Sequence, residues 1–213
     1  MIKAVIFDLD GVLVTTDVFH FNAWKKLAED LGIMNFTKAD NARQRGVSRM
    51  ASLEVVLEKT DRVFSDEEKQ ELAQRKNDDY VKSLSSLSEA DVLPGVCEFL
   101  SFLKEKGIKT AVGSASKNAL LILEKTKLVD SFDEIVSGVD TTKSKPDPEV
   151  FVLGANRLGI APEECLVVED SDAGIEAAKR GGMYALAVGE AKNNPLADYA
   201  SESLETFDYS DIF

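Results

Sequence analysis

Residues Lys3–Leu13 read KAVIFDLDGVL. The apolar run, rich in β-branched residues, has the pattern of a strand buried on both faces. It closes on Asp8 and Asp10, one residue apart, and then on Gly11. Charge taken out of water is costly unless it is compensated, so this strand end needs a positive partner. Four more short apolar runs follow, at 109–114 (KTAVGS), 134–137 (EIVS), 165–169 (CLVVE) and 184–188 (YALAV). Amphipathic stretches lie between them. VCEFLSFLKEKG stops at Gly107, KNALLILEKTK follows, PEVFVLGANRLG runs from Pro148 to Gly159, and AGIEAAKRGG ends on paired glycines. Strand and helix in alternation predict an α/β fold with a parallel sheet covered on both sides.

Residues 17–91 break the alternation. They hold no strand pattern, and helices are expected at 17–31, 48–58 and 66–84. VLPGV (Val92–Val96) reads as the turn back into the sheet. The expected division is a catalytic core of 1–14 and 92–213 with a helical cap of 15–91. Such an insertion hangs over the carboxyl end of the first strand, where open α/β sheets place their ligands, and can serve as a lid.

The 213 residues suffice for one large domain carrying a smaller inserted one. At 44% hydrophobic and 30% charged residues the chain is globular in composition. No apolar run reaches the ~20 residues of a membrane span, and the start is too short and too soon acidic for a signal peptide. A cytoplasmic monomer is expected. The net charge of −13 opposes nucleic acid and acidic membranes as partners. The excess is uneven: residues 15–91 carry 12 Lys/Arg against 15 Asp/Glu, and the remainder 13 against 23. An anionic substrate must therefore be held by local cations. Cys97 and Cys165 fit no metal pattern and read as small buried hydrophobes.

Further groups gather at strand ends. CLVVEDSDAGIEAAK places Glu169 and Asp170 between a strand and a helix. Four carboxylates at one sheet edge repel unless a cation lies among them, and hard oxygen donors suit Mg²⁺. TAVGSASKNALL ends a strand at Ser114, and a helix is expected to open near Ser116 with Lys117 and Asn118 in its first turn, a seat for an anion. KSKPDPE puts Lys145 in a loop stiffened by Pro146. Alone, each has a plainer reading: a turn cap, a serine N-cap, a surface lysine. Their coincidence at one edge is hard to assign to packing.

DLDGVL, SASKN, KPDP and VEDS, in this order, resemble the four motifs of the haloacid dehalogenase superfamily of phosphotransferases. The resemblance implies a Rossmann-like core, an inserted α-helical cap and Mg²⁺-dependent transfer through an aspartyl phosphate. It makes Asp8 the nucleophile and Asp10 the general acid and base. Ser114 and Lys145 hold phosphoryl oxygens. It implies a metal held by Asp8, the backbone carbonyl of Asp10, Glu169 and Asp170.

HFNAWKKLAEDLGI, RGVSRMASLE, ELAQRKNDDYV and GSASKN narrow the resemblance to the β-phosphoglucomutase family. What this implies is interconversion of β-glucose 1-phosphate and glucose 6-phosphate through β-glucose 1,6-bisphosphate, which also primes the enzyme. The cap then supplies Thr16, His20, Gly46, Val47, Arg49, Ser52 and Lys76 to a small-molecule sugar phosphate. Arg49 grips the non-transferring phosphate with Ser116, Lys117 and Asn118. Without the family, His20 reads as a structural histidine on an apolar face with Trp24, Leu27 and Leu31. Arg49 and Lys76 read as solvated charges, and Thr16 as an N-cap. One departure stands out: Thr15 occupies a position where the superfamily often has an aspartate. The rival readings are a sugar-phosphate or phosphoglycolate phosphatase on the same core, and a catalytically idle binding protein of the same fold. Release of inorganic phosphate marks the first, and failure to form a phosphoaspartate the second.

Overall fold

The computed structural model describes residues 1–210 and 212–213. Six parallel strands form one sheet: β1 (Ala4–Phe7), β2 (Lys109–Gly113), β3 (Glu134–Val136), β4 (Cys165–Glu169), β5 (Tyr184–Val188) and β6 (Tyr199–Ser201). Their order is β3-β2-β1-β4-β5-β6. β1 lies between β2 and β4, with Phe7 opposite Val112 on one side and Val168 on the other. The chain builds outward from β1 through β2 and β3, then crosses to the other side of β1 at β4. That reversal opens a crevice at the carboxyl ends of β1 and β4, where Asp8 and Asp170 follow.

Alternation along β1 explains the two cores. Val5 and Phe7 enter one cluster, with Phe99 and Leu103 of α5 (Val96–Glu105) and Ile122 and Leu123 of α6 (Ala119–Lys125). Ala4 and Ile6 enter the other, with Phe151 and Ala155 of α7 (Glu149–Leu158) and Ile175 and Ala178 of α8 (Asp172–Arg180). Each fully buried Phe or Leu contributes about 1.5–3 kcal/mol of transfer free energy. The β1 residues, completely inaccessible, are thus anchored from both sides.

Between β1 and α5 lie α1 (Asp17–Asp30), α2 (Lys38–Ala42), α3 (Arg49–Leu57) and α4 (Asp66–Ser83). They close on a third cluster that includes Trp24, Leu27, Phe36, Leu53, Val56 and Ala73. α4 starts with a reciprocal cap: the Glu68 N–H donates to Ser65 Oγ at 3.2 Å, and the Ser65 N–H to Glu68 Oε2 at 2.8 Å. The outgoing and returning connections run side by side. Val14 bridges Val92 antiparallel, and the Leu93 N–H donates to the Leu13 carbonyl at 3.0 Å.

Three readings need correction. β6 was not expected, because three half-polar residues carry no readable alternation, and it forms by pairing with β5. α2 is five residues long and held by Asp40, whose carboxylate accepts from the Thr37 N–H and hydroxyl, both at 2.7 Å. Cys97 is exposed, because it falls outside the Val96–Phe99–Leu100–Leu103 stripe of α5; Cys165 is buried as expected.

Candidate active site

The strand ends converge as the motifs require. Asp8 follows β1, Ser114 follows β2, and Glu169 ends β4 with Asp170 after it. Lys145 reaches in from the loop before α7. Its Nζ donates to Asp8 Oδ1 at 2.5 Å and also to Glu169 Oε1. The lysine side chain is completely buried, 4.6 Å over the Phe151 ring. Burial works against its charge, but Asp8 and Glu169 together hold the ammonium above its ordinary range. The second Glu169 oxygen accepts from the Ser171 N–H and hydroxyl, both at 2.8 Å. Ser171 Oγ in turn accepts from the Gly174 N–H at 3.1 Å as N-cap of α8, so the helix start and Glu169 are fixed together.

Asp8, Glu169 and Asp170 each offer an oxygen, all within 4.8 Å of one another. Burial, more than any other cause, pushes the Asp8 carboxyl up to about 7, and the Asp170 carboxyl well above its ordinary value; each also feels the other acids. One buried lysine does not neutralise three such carboxylates. A hard, oxygen-seeking divalent cation would, and the donor set fits Mg²⁺. Gly11 makes room for this arrangement. Its φ is +86°, and a Cβ there would lie 2.1 Å from Asp170 Oδ2.

Asp10 differs from Asp8 in company. Thr16 is the N-cap residue of α1, yet its hydroxyl makes no cap bond and donates to Asp10 Oδ1 instead. Burial raises the Asp10 carboxyl, against the pull of that donor. Thr16 is completely buried and stands behind Asp10, off the cavity wall.

The inserted helices close the site. A cavity of about 1200 Å³ lies between them and the sheet edge, with Asp8, Asp10, Ser114, Lys145 and Asp170 on one side. His20, Gly46, Val47, Arg49, Ser52 and Lys76 line the other, and Ser116, Lys117 and Asn118 complete the wall. Gly46 touches the sheet unit itself. At φ +71°, a Cβ on it would lie 2.6 Å from Ser171 Oγ and 3.7 Å from Lys145 Cδ. Two residues on, Ser48 Oγ accepts from the Ala51 N–H at 3.2 Å and starts α3, which sets Arg49 at its first position. Burial lowers the Arg49 guanidinium from its ordinary value.

Lys76 is no surface charge. It is 3% exposed, 4.6 Å over the Trp24 ring and 4.7 Å over the Tyr80 ring. Its Nζ lies 2.9 Å from His20 Nδ1. Burial, then Arg49, drives the ammonium down to about 7; burial, then Lys76 and Arg49, holds His20 far below its usual range. This shift favours the neutral form of His20 beside the lysine. Tyr80, four residues after Lys76 on α4, stacks on His20 at 4.0 Å between ring centroids. The sequence reading passed over Tyr80, although the i, i+4 spacing from Lys76 places both on one helix face.

The expected helix start near Ser116 is displaced. α6 begins at Ala119, with Asn118 as its N-cap. Residues 114–118 form a ladder of turns: the Ser116 N–H donates to Ser114 Oγ at 3.1 Å, and the Asn118 N–H to Ser116 Oγ at 3.2 Å. Serine hydroxyls that take local backbone donors compete with helix, which explains the late start. Lys117 is exposed at the rim.

A family model for haloacid dehalogenase-like hydrolases matches residues 2–182. The chain belongs to this family. It is 43% identical over 192 residues to a β-phosphoglucomutase of Bacillus subtilis, which covers 89% of this chain and 84% of that protein. It is 36% identical over 183 residues to a phosphorylated carbohydrates phosphatase of Thermotoga maritima, covering 85% and 82%. The crystal structure of a β-phosphoglucomutase from Clostridium difficile superposes with a TM-score of 0.93 at 37% identity, over 100% of this chain and 96% of that one. The acidic triad at the ends of β1 and β4 and the buried Lys145 thus sit in the fold of a phosphotransferase family. No helix among the described residues is long and apolar enough to cross a membrane.

Proposed function

We propose that the protein is a β-phosphoglucomutase that interconverts β-glucose 1-phosphate and glucose 6-phosphate through β-glucose 1,6-bisphosphate. The observation that carries this reading is one cavity with cationic and hydroxyl donors at two separate places. Lys145 bonds Asp8, and Ser114 follows the neighbouring strand, whereas Arg49 comes from α3 and Lys117 and Asn118 from the turns before α6. A phosphatase needs one phosphate seat. A mutase needs two, because the bisphosphate must be held by one phosphate while the other reacts, and then in the reverse orientation. The 43% identity to the Bacillus subtilis mutase supports the same reading.

The chemistry follows from the placement. The Asp8 carboxylate attacks phosphorus, the bond to the sugar oxygen breaks, and Asp10 gives that oxygen its proton. A raised Asp10 suits this role, since it must hold a proton before it can deliver one. In the return step the sugar hydroxyl attacks the aspartyl phosphate, Asp10 takes the hydroxyl proton, and the Asp8–phosphorus bond breaks. Lys145 and Ser114 hold the equatorial oxygens in place through both steps. Asp8, the Asp10 carbonyl, Glu169 and Asp170 would hold Mg²⁺, which when bound neutralises charge on the phosphoryl group. Residues 15–91, with helices α1–α4, act as a cap over the sheet edge, and closure excludes water so that the sugar is the acceptor.

The test is phosphorus NMR of the protein with Mg²⁺, a trace of the 1,6-bisphosphate and either anomer of glucose 1-phosphate. Glucose 6-phosphate growing from the β anomer alone is the expected result. Inorganic phosphate growing in its place would make the protein a phosphatase.

A further inference from the structure

The wall assigned to the remote phosphate carries a contact that none of these roles uses. Asn118 is the N-cap residue of α6, where an asparagine side chain ordinarily accepts from the first free N–H groups of its helix. Here it makes no such bond. Its Nδ2 reaches instead to α4 and donates to Asn77 Oδ1 at 2.9 Å. Both residues are half-buried on the cavity wall. Asn77 directly follows Lys76 and lies on the helix that carries Tyr80. The inserted helices thus meet the sheet unit at Gly46, against Ser171 and Lys145, and at Asn77, against Asn118.

A carboxamide has two N–H donors. With one fixed on Asn77, the direction of the other is fixed as well. We propose that Asn77 is a positioning residue: it aims the Asn118 amide at the remote phosphate and fastens α4 over the filled site, so that water is kept from the aspartyl phosphate. The inference rests on the mutase reading for its substrate. Asn77 contacts no reacting atom in this scheme, and its effect passes through Asn118 and through closure.

The experiment is a double-mutant cycle of Asn77→Ala and Asn118→Ala in the full chain with Mg²⁺. Steady-state KM and kcat for β-glucose 1-phosphate are measured, along with inorganic phosphate released per glucose 6-phosphate formed. Asn77 is half-buried inside a long helix that alanine favours, so the variant keeps the fold. Asn77→Ala is expected to raise KM about fivefold to tenfold, with a smaller change in kcat and a higher share of phosphate lost to water. The double variant should be no worse than Asn118→Ala alone, since both remove the same bond. An Asn77→Ala protein with unchanged KM and phosphate share, or effects that multiply in the double variant, would overturn the proposal. The unmutated protein tests the mutase reading separately. If it releases only inorganic phosphate, that reading fails, and the cycle still decides the role of Asn77 from KM for the sugar phosphate hydrolysed.

Discussion

Asp8 and Asp10 are two residues apart on one strand end, and their surroundings divide their work. Asp8 bonds Lys145 in an acidic nest, whereas Asp10 accepts from the Thr16 hydroxyl under burial that favours its protonated form. In the proposed scheme Asp8→Asn removes the nucleophile and should abolish turnover, a fall of at least about 10⁴-fold in kcat. Asp10→Asn keeps the shape and loses the proton transfer, so kcat should fall about 10²–10⁴-fold. Phosphoenzyme should still accumulate slowly in Asp10→Asn and not at all in Asp8→Asn, as intact-protein mass spectrometry would read. Equal loss of phosphoenzyme in both variants would contradict the division of roles. Asp8, Ser114, Glu169 and Asp170 were legible in the sequence because they sit at strand ends, where position along the chain determines position in space; Lys145 comes from the loop before α7 and was legible from its motif alone. The Lys76 environment was not legible. The run RKNDDY reads as solvated charge, and only the packing of α4 on α1 turns Lys76 inward between Trp24, Tyr80 and His20.

At the scale of elements, the segment Gly46–Arg49 links the contact with the sheet unit to the cavity wall. Gly46 supplies a left-handed turn against Ser171, Ser48 caps α3, and Arg49 is delivered to the cavity. A β-branched side chain at Gly46 meets both obstacles, a conformation costing roughly 1–2 kcal/mol and a collision with Ser171. Gly46→Val should therefore reduce kcat/KM for the sugar phosphate about 10²-fold while leaving the melting temperature within a few degrees. Such a clash acts on the closed arrangement more than on either unit alone. A normal kcat/KM in Gly46→Val would show that the contact with Ser171 does not matter to turnover. The pattern GVSR announced a loop and a helix start, but nothing in the letters shows that Gly46 touches residue 171. Likewise α2 and β6 are too short for periodicity to reveal, and the sheet or a single capping aspartate makes them. The long elements α1, α3 and α4 were legible to within one or two residues, α1 from its apolar spacing and α3 and α4 from their serine caps as well.

For the molecule as a whole, the net charge of −13 and the acidic nest pose one electrostatic problem, and cations solve it locally. Burial pushes the folded Asp8 carboxyl up to about 7 from its ordinary 3.8. Between those values the folded protein holds a proton that the unfolded chain has lost, so stability from this group falls as pH rises through the window. A divalent cation among the carboxylates competes with that proton and removes the penalty. Mg²⁺ should therefore raise the melting temperature more at pH 8 than at pH 5, and chelation should reverse the gain. An equal effect at both pH values would place the ion elsewhere. The same cavity underlies the central claim, that a phosphoryl group passes from Asp8 to a sugar and not to water. The measurement that tests it most directly is turnover of β-glucose 1-phosphate in ¹⁸O-labelled water with Mg²⁺ and bisphosphate primer, read by the isotope shift in phosphorus NMR. The account predicts glucose 6-phosphate with no ¹⁸O in its phosphoryl group and little inorganic phosphate; labelled inorganic phosphate as the main product would contradict it.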